Sequence, residues 1–519
     1  MSIFLKRIGA FIFITIFTVV LCFISISCNP EEDVTVELPD YWPTQGWQAT
    51  SPEKQGMDSG LLADMVEIIR TQYPGIRSFL VIRNGYLVVE AYFHPFRQDF
   101  RHIIHSCTKS ITSTLVGIAR DRGSIADLDL KILDTFSDYP VQNPSTWKND
   151  LCLRHLLMMA TGLDAQDSYL YNWKGLDEMK ASPDWAQYVL NLPMIMAPGE
   201  RFDYSNCASY LIAAVLHRKT NTDGLTYANQ YLFSPLGIEN VEWEKSPQGI
   251  VQGQGSIRMK PSYMAKFGFL FLHEGQWENT QVVSKEWVQE ATRAEVHAGT
   301  MSDDYGYQWW IEDDGYYMAL GYGGQYIIVY PDENLVTVIT SALNFSDYFM
   351  PKTLFHQYIL ASIQSDESMD ENPVEKERLA EAIHLSANPV SEPVPSLTAT
   401  ALAVSGRKII FHSNPLDYKF MALTFTSGSN QSIIELAYHN KHYTVPVGMD
   451  NVYRLTLVND WWRAYRGTWE SENTYVLDYQ VADYTERITK RLTFNGDTVQ
   501  ISLDFPVTGS HYEFSGYLQ

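Results

Sequence analysis

The periodicity of apolar residues changes along this chain, and each change limits what its segments can build. After Asp58, Leu61, Leu62, Met65, Ile68 and Ile69 recur at helical spacing. Two strand-like runs follow, Phe79-Leu80-Val81-Ile82-Arg83 and Tyr86-Leu87-Val88-Val89, joined by Asn84-Gly85. Asn-Gly supplies the positive φ angles that a two-residue hairpin turn requires. Helical spacing returns from Ser106 through Ile111, Leu115 and Ile118 to Gly123, again around His155-Leu156-Leu157, and again from Tyr210 to Leu216. Tyr326-Ile327-Ile328-Val329 and Val336-Thr337-Val338-Ile339, with Pro331 between them, read as two buried strands. Strands at both ends with helices between predict an α+β unit whose sheet joins its first and last segments. From residue 397 onward the runs are short and alternating, as in Lys408-Ile409-Ile410-Phe411, Tyr475-Val476-Leu477 and the Asn495-Gly496 hairpin. That pattern predicts a separate all-β barrel or sandwich. Polar, acidic residues 364–372 and Pro389, Pro393 and Pro395 mark a linker, with a short amphipathic helix (Val374, Leu379, Ile383) inside it.

Composition narrows the function. The chain has 519 residues, 45% of them hydrophobic, enough for two or three folded units. Its net charge is −23, so its surface repels phosphate backbones and argues against nucleic-acid binding. Lys6 and Arg7 precede an apolar run from Ile8 to Ile26, and Cys28 follows Ser25-Ile26-Ser27. This resembles a bacterial lipoprotein signal with Cys28 as the lipid anchor, although Ser25 stands where that signal usually has Leu. The run is also long enough to read as an uncleaved membrane anchor. Either reading puts the bulk of the chain outside the cytoplasm, in the cell envelope. Glu31-Glu32-Asp33 read as a solvated tether or as a surface-export signal. Cys107, Cys152 and Cys207 are an odd, scattered set and read as free packing thiols. His439 and His442 lack a nearby third ligand, so no metal site is expected.

Three short motifs carry the chemistry. Ser106-Cys107-Thr108-Lys109 is an S-x-x-K at a predicted helix start. Residues three apart share a helix face, so the Lys109 amine can reach the Ser106 hydroxyl. A serine hydroxyl needs such a neighbour to take its proton, and a buried lysine can do so once desolvation lowers its pKa. Tyr204-Ser205-Asn206 lies in a loop just before a helix. Tyr204 could act as base if a Lys ammonium drew it toward phenolate, and Asn206 could hold Lys109 and donate to a substrate carbonyl. Gly321-Tyr322-Gly323-Gly324-Gln325 leads directly into a strand. Its glycines would let a substrate chain lie along the strand edge, and the N–H groups of Gln325 and Ser106 would form an oxyanion hole. Each motif alone is equally compatible with a helix cap, a core tyrosine or a glycine turn.

In this order and spacing the three motifs resemble the class C β-lactamase-related serine hydrolases, the penicillin-recognising enzymes with S-x-x-K and Y-x-N elements. His105, the segment 155–163 and Tyr305-Gly306-Tyr307-Gln308-Trp309-Trp310 match the family's style as well. The resemblance covers about residues 46–362. It implies a β-lactamase/transpeptidase-like antiparallel sheet flanked by helices with an all-helical subdomain. It also implies catalysis by Ser106, Lys109 and Tyr204, an oxyanion hole from Ser106 and Gln325, and substrate contacts from Asn206, Tyr322, Gly323 and Gly324. No cofactor is implied. The β-lactamase and D,D-peptidase branch carries Lys or His where this chain has Tyr322, followed by a hydroxyl residue where it has Gly323. That cation and hydroxyl bind the substrate carboxylate. Their replacement looks more like the esterase and amide-hydrolase branches. Tyr169, Tyr171 and Trp173 are candidates for the acyl pocket. The tail resembles the lipocalin-like domains found on some of these enzymes.

The expected organisation is a signal over 1–27, a tether over 28–45, the hydrolase over 46–362, a linker over 363–396 and an all-β unit over 397–519. The expected function is cleavage of an ester or amide of a small molecule through a Ser106 acyl-enzyme. The alternatives are a peptidoglycan-directed D,D-peptidase, D-aminopeptidase or weak β-lactamase, and a non-catalytic cell-wall or glycan-binding lipoprotein. A further alternative makes the β unit the working part.

Overall fold

The computed structural model describes residues 39–168, 172–299, 301–459 and 461–519. The expectations for Lys6, Arg7, Cys28, the acidic run at 31–33, Tyr169 and Tyr171 fall outside the described residues. Asp58 caps the helix Ser59–Gln72, its carboxylate accepting from the Leu61 N–H at 2.9 Å. The predicted hairpin forms between Ile76–Arg83 and Tyr86–Tyr92, turning at Asn84 (φ 50°) and Gly85 (φ 82°).

The first strand then pairs with one from the far end of the unit. Ile76–Arg83 lies beside Leu335–Ser341, which pairs in turn with Gln325–Tyr330 and Tyr317–Gly321. Three two-residue strands extend this antiparallel sheet to eight. The central strands are buried on both faces, as their continuous apolar runs require. The helix Cys107–Asp121 is buried along nearly its whole length between the sheet and the helix Asn206–Thr220.

The predicted linker helix is Pro373–Ala387. It packs on the first helix, with Arg378 donating to Gly60 O at 2.8 Å and Asp64 Oδ1 at 2.7 Å.

Beyond it the strands form a barrel rather than a sandwich. A parallel bridge between Gly448 and Arg466 closes nine strands into a ring, and Arg454–Val458 pairs onto Trp461–Trp469 as a tenth. The α+β unit and the barrel have separate apolar cores. A small cluster of Phe96, Phe100 and Ala482, with Leu455 and Trp462 packed against it, joins them.

Candidate active site

Ser106 is the N-cap of the helix Cys107–Asp121, so Lys109 follows one turn later on the same face. Lys109 Nζ donates to Ser106 Oγ at 3.0 Å, to Asn206 Oδ1 at 2.8 Å and to the Gln254 carbonyl at 2.8 Å. Tyr204 completes the group, its hydroxyl donating to Ser106 Oγ at 2.8 Å. The serine oxygen is therefore held between an amine and a phenol. The Tyr204 ring stacks on Trp310 at 5.9 Å, and Lys109 Nζ lies 4.9 Å from its centroid.

A second helix start positions the tyrosine and asparagine. Ser205 caps Asn206–Thr220, accepting from the Ala208 N–H at 3.0 Å. Asp167 accepts from the Cys207 N–H at 2.6 Å and from Ser205 Oγ at 3.3 Å. The Asp167 carbonyl takes the Asn206 side-chain N–H at 3.0 Å, which turns Asn206 Oδ1 toward Lys109.

Burial sets the proton affinities. It pushes the Lys109 amine down to about 7, with buried Asp167 the chief opposing influence. It pushes the Tyr204 phenol well above its ordinary value, and the bond to Ser106 only partly offsets this. The resting phenol is therefore protonated, so desolvation outweighs the pull toward phenolate considered from the sequence. Asn206 Oδ1 and the Gln254 carbonyl can only accept hydrogen bonds. A neutral Lys109 gives them its two N–H groups and keeps its lone pair for Ser106 Oγ.

The third motif forms the hairpin turn between Tyr317–Gly321 and Gln325–Tyr330. Gly323 (φ 74°) and Gly324 (φ 87°) occupy the left-handed region, which side-chain-bearing residues rarely adopt. Ser341 Oγ lies within hydrogen-bond distance of both of their carbonyls and can donate its one proton to either, and Gln325 Nε2 donates to the carbonyls of Tyr322 and Ser341. Cys107 Sγ contacts the Gln325 carbonyl at 3.4 Å, so the Gln325 main chain runs beside the residue that follows Ser106. The Tyr322 ring meets His105 at 5.5 Å and Trp173 at 6.4 Å, both edge-on.

The barrel reaches this rim. Tyr322 OH donates to the Val507 carbonyl at 3.0 Å, and His105 Nε2 lies 2.9 Å from Thr485 Oγ1. A Cβ on Gly323 would come within 2.3 Å of Thr485 Cγ2. Cys107, Cys152 and Cys207 are free and buried. Asp167 and Gln254 escaped the reading of the sequence. Gln254 had a usable signal in its flanking glycines, because a Cβ on Gly253 would come 2.5 Å from the Ser209 carbonyl.

Residues 53–355 match the beta-lactamase family, which is more than half of the chain. The chain belongs to the beta-lactamase family. Within it, the chain is 22% identical over 289 residues to the 6-aminohexanoate-dimer hydrolase of Paenarthrobacter ureafaciens, covering 51% of this chain and 72% of that one. Among solved structures it is similar to EstCE1, a hydrolase with promiscuous acyltransferase activity, with a TM-score of 0.50 and 15% identity over 58% of this chain and 99% of that one. It is also similar to the octameric penicillin-binding protein homologue of Pyrococcus abyssi, with a TM-score of 0.45 and 15% identity over 88% of this chain and 100% of that one.

Proposed function

We propose that this family member cleaves an ester or short amide through an acyl-enzyme on Ser106. The observation that carries this reading is the Ser106 oxygen held between the Lys109 amine and the Tyr204 hydroxyl. Neutral Lys109 takes the serine proton as Oγ attacks the carbonyl carbon. The N–H groups of Ser106 and Gln325 receive the developing oxyanion. Tyr204 passes its proton to the departing amine or alcohol and is reprotonated from Lys109. Water then attacks the acyl group by the reverse proton route and releases a carboxylic acid.

Two observations favour esters and short amides over substrates with a free D-amino-acid carboxylate. Tyr322 carries no cation for such a group, and its hydroxyl is donated to the Val507 carbonyl. The similarity to a 6-aminohexanoate-dimer hydrolase, named for an amide substrate, points the same way. Asn206, with Gly323 and Gly324 in the hairpin turn, would hold the substrate. Hydrolysis of p-nitrophenyl butyrate tests the proposal. Turnover should fall on the order of 10⁴-fold in Ser106→Ala, and turnover unchanged in that variant would reject Ser106 as nucleophile. We further propose that Cys28 carries the lipid that holds residues 46–362 and 397–519 at the cell envelope. Labelled fatty acid should enter the chain and fail to enter Cys28→Ala.

A further inference from the structure

Side chains in a β-strand alternate between the two faces of the sheet. In the barrel strand Arg487–Asn495, the residues that reach the core are Ile488, Leu492 and Phe494. Lys490 shares their parity and so faces the lumen. Arg463 shares parity with the core residue Tyr465 in Trp461–Trp469. These two cations are 2% and 7% exposed, and neither forms an ion pair with any described residue. Lysine and arginine are rarely buried to this degree without a counter-charge.

Their surroundings are phenols. Lys490 Nζ donates to Tyr418 OH at 2.7 Å, and Arg463 donates to Tyr479 OH. Both cations lie within 6 Å of the Tyr479 ring, at 5.7 Å for Lys490 and 5.8 Å for Arg463. The Tyr443 ring lies 5.2 Å from Arg463. Cation–π contact with these rings offsets part of the desolvation cost. It does not pair the charges, and Arg463 Nε is buried with no partner at all.

A cavity of about 320 Å³ opens in the same barrel; neither cation lines it, but Arg463 pairs across strands with the lining residue Val481, and Lys490 lies two residues along its strand from the lining residue Ile488. Tyr479 lines the cavity together with Leu416, Val481, Ile488, Phe505 and Tyr512. Glu486, the carboxylate that lines the cavity, already accepts from the N–H groups of Arg487 and Val507. The site thus combines a largely apolar and aromatic cavity with two unpaired cations on strand positions next to its lining residues.

We propose that the barrel binds a small amphipathic carboxylate, with its acid group between Arg463 and Lys490 and its apolar part in this cavity. The guanidinium fork and the ammonium would both pair with one carboxylate. The Tyr479 hydroxyl, which Arg463 now engages, could turn to donate to it. The volume is at the low end for small-molecule sites and suits an acid of roughly ten to fifteen heavy atoms. This site does not depend on Ser106 acting as nucleophile.

Calorimetry on the full chain tests it, with 4-phenylbutyrate and hexanoate as probes and 4-phenylbutanol as the neutral counterpart. One acid per chain should bind at least tenfold more tightly than the alcohol. Arg463→Gln and Lys490→Met should each weaken the acid at least tenfold, and Ser106→Ala should leave its affinity unchanged. If either barrel variant fails to fold, the comparison of acid with alcohol on the unaltered chain decides. Equal affinity for acid and alcohol, no binding of either acid at 5 mM, or loss of binding in Ser106→Ala would each overturn the proposal.

Discussion

Of the buried lysines among the described residues, one in each unit, Lys109 and Lys490, has its amine pushed by burial down to about 7. Lys109 in the α+β unit is surrounded by acceptors: a serine oxygen, an asparagine oxygen and a backbone carbonyl. Lys490 in the barrel donates to one phenol and shares its chamber with a second cation. Desolvation is common to both, so it cannot be what separates their roles. The neighbours do that. Two fixed acceptors aim the Lys109 lone pair at a hydroxyl, which makes it a base. Lys490 lacks such a frame and lies two residues along its strand from Ile488, which lines the barrel cavity, so that its charged form is the useful one there.

Four experiments would break or sharpen this contrast. The largest effect is expected from Lys109→Met, which removes the base and should lower kcat/KM for a p-nitrophenyl ester by about 10³-fold. Lys109→Arg should do no better, because guanidinium does not give up its proton near neutrality. Tyr204→Phe keeps the stacking on Trp310 but loses the proton carrier, and should cost roughly 10²-fold in kcat. A steady-state assay of either variant within fivefold of the parent would contradict these roles.

Opposite pH responses are expected next, with changes of about tenfold. Hydrolysis requires neutral Lys109, so kcat/KM should rise as pH increases through about 7. Carboxylate binding in the barrel requires charged Lys490, so affinity should weaken as pH increases from 6 to 9. Arg463 faces Lys490 and stays charged over that range, and burial raises the phenols of Tyr418 and Tyr479, which stay neutral. Parallel pH curves would remove the contrast. The smallest effect concerns stability. Replacing a buried cation that has no counter-charge with an apolar side chain removes a desolvation cost. Lys490→Met should therefore leave the urea midpoint unchanged or raise it, and a clear drop would mean that Lys490 is a structural pillar.

Legibility in the sequence followed range. Ser106 and Lys109 lie three residues apart, Tyr204 and Asn206 two apart, and such spacings can be read against helix geometry. The hairpins at Asn84-Gly85 and Asn495-Gly496 were legible for the same reason, since turn chemistry is local. The pairing of Ile76–Arg83 with Leu335–Ser341 followed from strands at both ends of one unit. Closure of the barrel did not, because alternation is the same in a barrel and a sandwich, and the deciding bridge joins Gly448 to Arg466. Asp167 and Gln254 reach the site across 39 and 145 residues from Asn206 and Lys109, and only Gln254, between two glycines, has any local mark. The engagement of Tyr322 by Val507 spans two units and 185 residues.

The central claim is that Ser106 forms a covalent acyl intermediate. Intact-mass spectrometry after rapid mixing with p-nitrophenyl butyrate, quenched in acid, tests it most directly. The account predicts one added butyryl group per chain, mapped by digestion to the peptide containing Ser106 and missing from Ser106→Ala. Turnover without any adduct, or an adduct mapped to another residue, would contradict it.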